Sequence, residues 1–217
     1  MANAGKCDTV PRISEFSFLF DIGNVIIRFD YRVAMERVAD RCEVPVQEII
    51  PRLRPLNERF ELGELDTDTY IAQASDEIGY RGPSEFLITS FADIFELNEP
   101  VAELIRQLSG SGRHSLFLLS NTNAIHVPFF TRKWVDIFSL FDRAVYSHEA
   151  GFMKPDPRIF DHAIEFLDLE PERTIYIDDL PENCEAGTAK GLRSICYDHE
   201  SHGDLLDQIE AILGEEA

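Results

Sequence analysis

Cations are scarce in this chain of 217 residues. Twenty Lys and Arg face 40 Asp and Glu, giving a net charge of −20, and only four of the cations are lysines. A surface that neutralises nucleic-acid phosphates needs Lys and Arg in excess. The balance therefore speaks against nucleic acid and anionic membranes as partners, and an anionic substrate must be met by a local positive site. Cysteine is sparse too. Cys7, Cys42, Cys184 and Cys196 are scattered with no C-x-x-C spacing, so neither a disulfide framework nor a zinc site is expected. Free thiols fit a reducing, cytoplasmic setting. No apolar run approaches the length of a membrane span. The N-terminal MANAGKCDTVPRIS lacks the apolar core of a signal peptide, so residues 1–13 are expected to form a flexible polar tail. The six histidines show no metal-ligand spacing. Gly110-Ser111-Gly112 precedes a strand-like run instead of following one, which is the wrong context for a phosphate loop. No internal repeat or low-complexity segment is present.

What is there is apolar and alternating. At 44% hydrophobic residues the chain can bury one substantial core with a modest second lobe. Phe18 to Phe29 reads as a buried strand interrupted at Gly23-Asn24. From Tyr31 to Leu97 the texture is helical. Val46, Ile49-Ile50 and Leu53 have helical spacing, and Thr67 and Ser84 stand where helix caps belong. No strand is expected in that stretch, which is too long for a simple connection. Beyond Pro100, helical segments alternate with strand-like runs at Leu116, Ala144, Ile175 and Ser194 to Tyr197. That pattern predicts right-handed βαβ units, hence an α/β, Rossmann-like, doubly wound parallel sheet. The expected division is a core of residues 14–30 and 98–217 with a helical insertion over residues 31–97.

Four of the apolar runs end on chemistry. Phe16 to Phe20 ends in Asp21. Leu116 to Leu119 ends in Ser120-Asn121. The run at Arg143 to Tyr146 leads through Gly151 to Lys154. Thr174 to Ile177 ends in Asp178-Asp179. In a parallel sheet these strand ends lie along one edge, where ligands bind. Each residue also has an ordinary reading: Asp21 as a cap or turn former, Ser120-Asn121 as a helix cap, Lys154 as a solvated loop lysine. The Asp178-Asp179 pair carries most weight. Like charges at a strand end repel, and a divalent cation relieves that repulsion. Asp21 can supply a further hard oxygen ligand of the kind Mg²⁺ prefers.

In order, FLFDIGNVI, LLSNTN, GFMKPDPRIF and IYIDDLPEN resemble the four motifs of the haloacid dehalogenase-like (HAD) hydrolases. The DIGNV form and the insertion after it look like the sugar-phosphatase branch, and like the N-terminal phosphatase domain of two-domain soluble epoxide hydrolases. The resemblance implies a HAD core with a helical cap over residues 31–97. It implies a Mg²⁺-dependent phosphatase of small phosphorylated metabolites, sugar phosphates and sugar 1-phosphates among them. Asp21 would be the nucleophile that forms an aspartyl-phosphate. Mg²⁺ would be held by Asp21, the Gly23 carbonyl and Asp179, with Asp178 alongside and Asn183 and Asn24 in support. Ser120, Asn121 and Lys154 would bind phosphate. Arg59 and Glu61 are weaker candidates for contacts from the cap, and a monomer or homodimer is expected.

One position departs from the family pattern. Most of its phosphatases carry a second aspartate two residues after the nucleophile, as general acid and base, whereas this chain has Gly23. Losing a general acid typically forfeits about 10²–10⁴-fold in rate. A substrate with a good leaving group, a substitute acid such as Asp30 or Glu61, or a weakened, phosphate-binding role would each accommodate this. Two other readings differ in mechanism or class. A metal-free dehalogenase gains little from paired carboxylates. A phospho-accepting receiver places its acidic pair first, not last.

Overall fold

The five-residue run Phe16–Phe20 forms the central strand, β1. The computed structural model describes residues 15–215; the expected tail at 1–13, with Cys7, lies outside them. After β1 come β2 (Ile27–Phe29) and four helices: α1 (Tyr31–Val38), α2 (Val46–Glu61), α3 (Thr67–Ile78) and α4 (Ser84–Ala92). The chain continues through β3 (Phe95–Leu97), α5 (Glu99–Ser111), β4 (His114–Ser120), α6 (His126–Lys133), α7 (Val135–Phe138) and β5 (Arg143–Tyr146). It closes with α8 (Ser147–Ala150), α9 (Pro157–Leu167), β6 (Thr174–Asp178), α10 (Pro181–Ala189), β7 (Arg193–Cys196) and α11 (His202–Gly214).

The large sheet is parallel, in the order β5-β4-β1-β6-β7. Phe18 of β1 pairs with Leu116 of β4 on one side and Ile175 of β6 on the other. A strand covered on both faces reads as a continuous apolar run, and β1 divides its residues accordingly. Phe16, Phe18 and Phe20 join the larger core, while Leu19 faces the second one with Tyr176, Ile159 and Phe160. Burying an aliphatic or aromatic side chain of this kind stabilises the fold by roughly 1.5–3 kcal/mol. Helix α9 supplies the cover on the second face through Ile159, Phe160, Ala163 and Leu167.

The stretch from Tyr31 to Leu97 is helical as expected, except at its end. There β3 pairs antiparallel with β2, Ile27 opposite Leu97, in a two-stranded ribbon. Three residues are too few for a period-two pattern to show in sequence. The helix starts also shift slightly. Asp66, not Thr67, caps α3 by accepting the Thr69 N–H at 2.7 Å. Pro83 precedes α4 with no side-chain cap, so Ser84 is the first helical residue. Helix α2 runs to Glu61 through Pro51 and Pro55, both exposed.

One close approach fixes how the insertion meets the sheet. Just past α2, Gly63 has φ +73°, and a Cβ there would fall 2.0 Å from the His148 carbonyl oxygen of α8. Only glycine fits a left-handed backbone pressed against another backbone. The end of α2, and with it Glu61, is thereby seated against the sheet's carboxyl edge.

Candidate active site

The carboxyl edge gathers the residues that the strand-end pattern singled out. Asp21 directly follows β1, Ser120 and Asp178 are the last residues of β4 and β6, and Lys154 follows α8. Asp21, Gly23, Asn24, Ser120, Asn121, Lys154, Asp179 and Asn183 line one pocket of about 280 Å³. Asp178 lies just beneath it, fully buried.

Lys154 organises the floor. Its Nζ donates to Asp21 Oδ1 at 2.9 Å, to Asp178 Oδ2 at 2.5 Å and to the Leu119 carbonyl at 2.9 Å. All three ammonium protons are thus taken. The Asn121 side chain holds the backbone of the same residue: its Nδ2 donates to the Lys154 carbonyl at 2.9 Å and its Oδ1 accepts the Lys154 N–H at 2.8 Å. Both ends of the Asn121 amide thus clamp the lysine loop, while the residue also lines the pocket. Ser120 Oγ has only a long 3.5 Å approach to the Asn121 carbonyl and stands at the pocket with its donor available.

Asp178 is locked rather than open. Its Oδ1 accepts from the Leu180 N–H and Asn183 Nδ2, both at 2.9 Å, and its Oδ2 accepts from Lys154 and from the Tyr176 hydroxyl at 2.5 Å. Sequence reasoning missed Tyr176, since an inward-facing tyrosine in an apolar strand carries no separate signal. Asp179 accepts from Asn24 Nδ2 at 3.0 Å, and Asn24 reaches it from a left-handed backbone at φ 54°.

The charges are strongly perturbed. Burial pushes the Asp21 carboxyl up to about 6, against the pull of Lys154. Burial also raises Asp179. Burial opposes ionisation of Asp178 as well, but Lys154 and the Tyr176 hydroxyl outweigh it and hold that carboxyl below its ordinary value. Lys154 is raised, because its two carboxylate partners outweigh its own burial. One carboxylate oxygen each from Asp21, Asp178 and Asp179 lies within 4.8 Å of the others. Three carboxylates against one ammonium leave an excess of negative charge in a confined space. That donor set, hard oxygens with two carboxylates still facing the pocket, fits a cation such as Mg²⁺.

The candidates from the insertion separate. Glu61 lines the pocket beside Tyr31, and burial raises its carboxyl to about 7. Arg59 does not line the pocket: it pairs with Glu64 at 3.1 Å and borders a hollow between α2 and α3. Asp30 is also engaged elsewhere, capping α1 through the Arg32 N–H and pairing with the Arg32 guanidinium at 2.7 Å. His126 is buried, its ring edge-on to Phe95 at 5.0 Å, and burial lowers it to about 4.

The Gly23 position is crowded. A Cβ there would lie 3.0 Å from Phe29 Cε1, so any side chain would have to displace the aromatic ring.

Comparison with known proteins places this geometry. A sesquiterpene phosphatase of Aspergillus oryzae, astK, is 29% identical over 140 residues, covering 62% of this chain and 68% of the fungal protein. The acyl-CoA dehydrogenase family member 10 of Mus musculus is 36% identical over 74 residues, 34% of this chain but only 7% of the mouse protein's length. Among solved structures, the HAD family enzyme BT-2542 of Bacteroides thetaiotaomicron, in complex with magnesium and inorganic phosphate, superposes with a TM-score of 0.75 at 21% identity, covering 85% of this chain and 94% of that one. A HAD-like hydrolase of Porphyromonas gingivalis gives 0.72 at 26% identity, over 87% and 92%. The described residues contain no helix long and apolar enough to cross a membrane. The family model for haloacid dehalogenase-like hydrolases matches residues 17–191, and the chain belongs to that family of hydrolases.

Proposed function

We propose that this hydrolase is a Mg²⁺-dependent phosphatase of small phosphorylated metabolites, with Asp21 as its nucleophile. The observation that carries this is the convergence of Lys154 on Asp21 and Asp178, with Asp179 in the same cluster of oxygens. Asp21 and Asp179 would hold the cation, with the Gly23 carbonyl as a further oxygen. When bound, Mg²⁺ supplies the Lewis-acid charge that lets a carboxylate approach a phosphate.

The chain's own residues do the rest. Lys154 holds Asp21 as a carboxylate and aims it. Asp21 attacks phosphorus, the ester P–O bond breaks, and an aspartyl-phosphate forms. Ser120 Oγ donates to a phosphate oxygen as charge builds there. The departing alkoxide needs a proton, and no carboxyl stands at position 23 to give it. Glu61 supplies it: the residue lines the same pocket, and burial raises its carboxyl to about 7, so a large share of it carries a proton near neutral pH. Water then attacks the aspartyl-phosphate, with Glu61, now a carboxylate, taking the proton back.

Residues 31–97 act as a cap over the site, supported by Tyr31 and Glu61 standing in the pocket wall. The free thiols Cys42, Cys184 and Cys196 suit a cytoplasmic enzyme. The DIGNV motif is what supports sugar phosphates as substrates. The test is turnover of p-nitrophenyl phosphate with Mg²⁺, lost in EDTA and in Asp21→Asn. Activity on 2-haloacids that survives EDTA would favour the metal-free dehalogenase instead.

A further inference from the structure

Beside the catalytic pocket lies a second hollow of about 320 Å³, walled by the insertion. The two share Tyr31, Glu61 and His126, so they adjoin at the neck these residues form. The hollow's wall is apolar: Met35, Leu53, Phe60, Tyr70, Phe91 and Ile125 face it. Some of the polar groups among its lining residues are engaged with neighbours. The Tyr70 hydroxyl donates to Asn57 Oδ1 at 2.8 Å. Asn123 Oδ1 accepts the Ile125 and His126 N–H groups, both at 3.1 Å, and its Nδ2 meets His126 Nδ1 at 3.1 Å. Burial keeps His126 neutral and raises the Glu61 carboxyl to about 7. The charged lining residues Arg54 and Glu58 are exposed, at the outer rim. A sugar needs open donors and acceptors around its hydroxyls, and the apolar side chains that dominate this wall offer few.

We propose that this hollow holds the hydrocarbon part of the substrate while its phosphate sits at Asp21, so that the substrate class is a phosphomonoester of an apolar alcohol. The inference rests on the phosphatase reading above and puts esters of apolar alcohols in place of the sugar phosphates that the motif alone supports. Each methylene moved from water into an apolar wall is worth about fourfold in binding. A tail long enough to pass the neck therefore gains steeply over a short one.

The test is kcat/KM of the intact protein with Mg²⁺ on ethyl, butyl, hexyl and octyl phosphate and on glucose 6-phosphate, each below its micelle concentration. A rise of roughly 100-fold or more from ethyl to octyl is expected, with octyl phosphate ahead of glucose 6-phosphate. A flat or falling series, or glucose 6-phosphate ahead of octyl phosphate, overturns the proposal. Calorimetry with octylphosphonate against ethylphosphonate separates the two readings. Tighter octylphosphonate binding without turnover of any ester leaves the hollow's role intact and removes the phosphatase reading, whereas equal binding removes the hollow's role. Ile50→Trp, which fills the hollow from α2, should lower the octyl-to-ethyl ratio at least tenfold, and an unchanged ratio counts against the proposal. If that variant does not fold, the chain-length series on the parent still decides.

Discussion

Lys154 Nζ lies 2.9 Å from Asp21 Oδ1 across the carboxyl edge of the sheet, both side chains nearly inaccessible to water. Two residues far apart in the chain thus make one ion pair, and a second carboxylate, Asp178, shares the same ammonium. Truncating one partner of such a group leaves buried charge uncompensated, at about 3–5 kcal/mol. Lys154→Met should destabilise by that order in urea unfolding and abolish turnover. A change under about 1 kcal/mol would mean that the ammonium is not what holds these carboxylates.

Glu61 as proton donor makes a prediction that depends on the leaving group. Glu61→Gln should lower kcat on alkyl phosphates by about 10²–10⁴-fold. It should barely slow formation of the aspartyl-phosphate from p-nitrophenyl phosphate, read as the first-turnover burst of p-nitrophenol, whose departure needs no proton, while steady-state turnover slows at the second step. Gly23→Asp, once Phe29 has yielded, should restore part of the loss in the Glu61→Gln background. A p-nitrophenol burst slowed as much as alkyl phosphate turnover would assign Glu61 to substrate binding alone.

The same carboxyl sets a pH dependence. Folding raises Glu61 from 4.5 to about 7, so between those values the folded protein binds more protons than the unfolded one. Its contribution to stability is present in full below 4.5 and is lost as pH rises through about 7. Turnover of alkyl phosphates should fall across the same upper limit. Glu61→Gln should flatten that part of both profiles; a profile unchanged in the variant assigns the titration to another group.

The carboxylate cluster predicts a thermal response to metal. Mg²⁺ at about 100 times its Kd should stabilise the protein by roughly 2.7 kcal/mol. Asp179→Asn should remove most of that shift while leaving the metal-free Tm near that of the parent, because the Asn24 contact at 3.0 Å lies at the pocket and not in the core. An undiminished Mg²⁺ shift in Asp179→Asn would exclude it as a ligand.

Gly63 should not tolerate a side chain. With φ +73° and the His148 carbonyl 2.0 Å from any Cβ, Gly63→Ala should cost more than about 1 kcal/mol. It should also slow alkyl phosphate turnover by displacing Glu61. A variant as stable and as active as the parent would show that the α2 end does not depend on this approach.

The sequence marked the sheet and its edge clearly because each buried strand is an apolar run that stops at a polar residue. Asp21, Ser120, Lys154 and Asp179 therefore came to light before any coordinates, and the structure brings them to one pocket. What stayed hidden depends on tertiary geometry. Arg59 and Glu61 sit two apart on one helix, roughly 200° around its axis, so they could not both face the site, and the pattern did not say which one would. That the Asn121 amide clamps the backbone of Lys154 carried no signal in the sequence. Tyr176 looked like core until its hydroxyl met Asp178. The apolar hollow takes its walls from α1, α2, α3, α4 and the segment around Ile125, and no single segment announces it.

The most direct measurement is an acid quench of the enzyme turning over p-nitrophenyl phosphate with Mg²⁺, followed by peptide mass spectrometry. The peptide carrying Asp21 is expected to gain the mass of one phosphoryl group, and Asp21→Asn to show neither the adduct nor turnover. Phosphate found on another residue, or an Asp21→Asn protein that hydrolyses the ester as fast as the parent, would contradict the central claim.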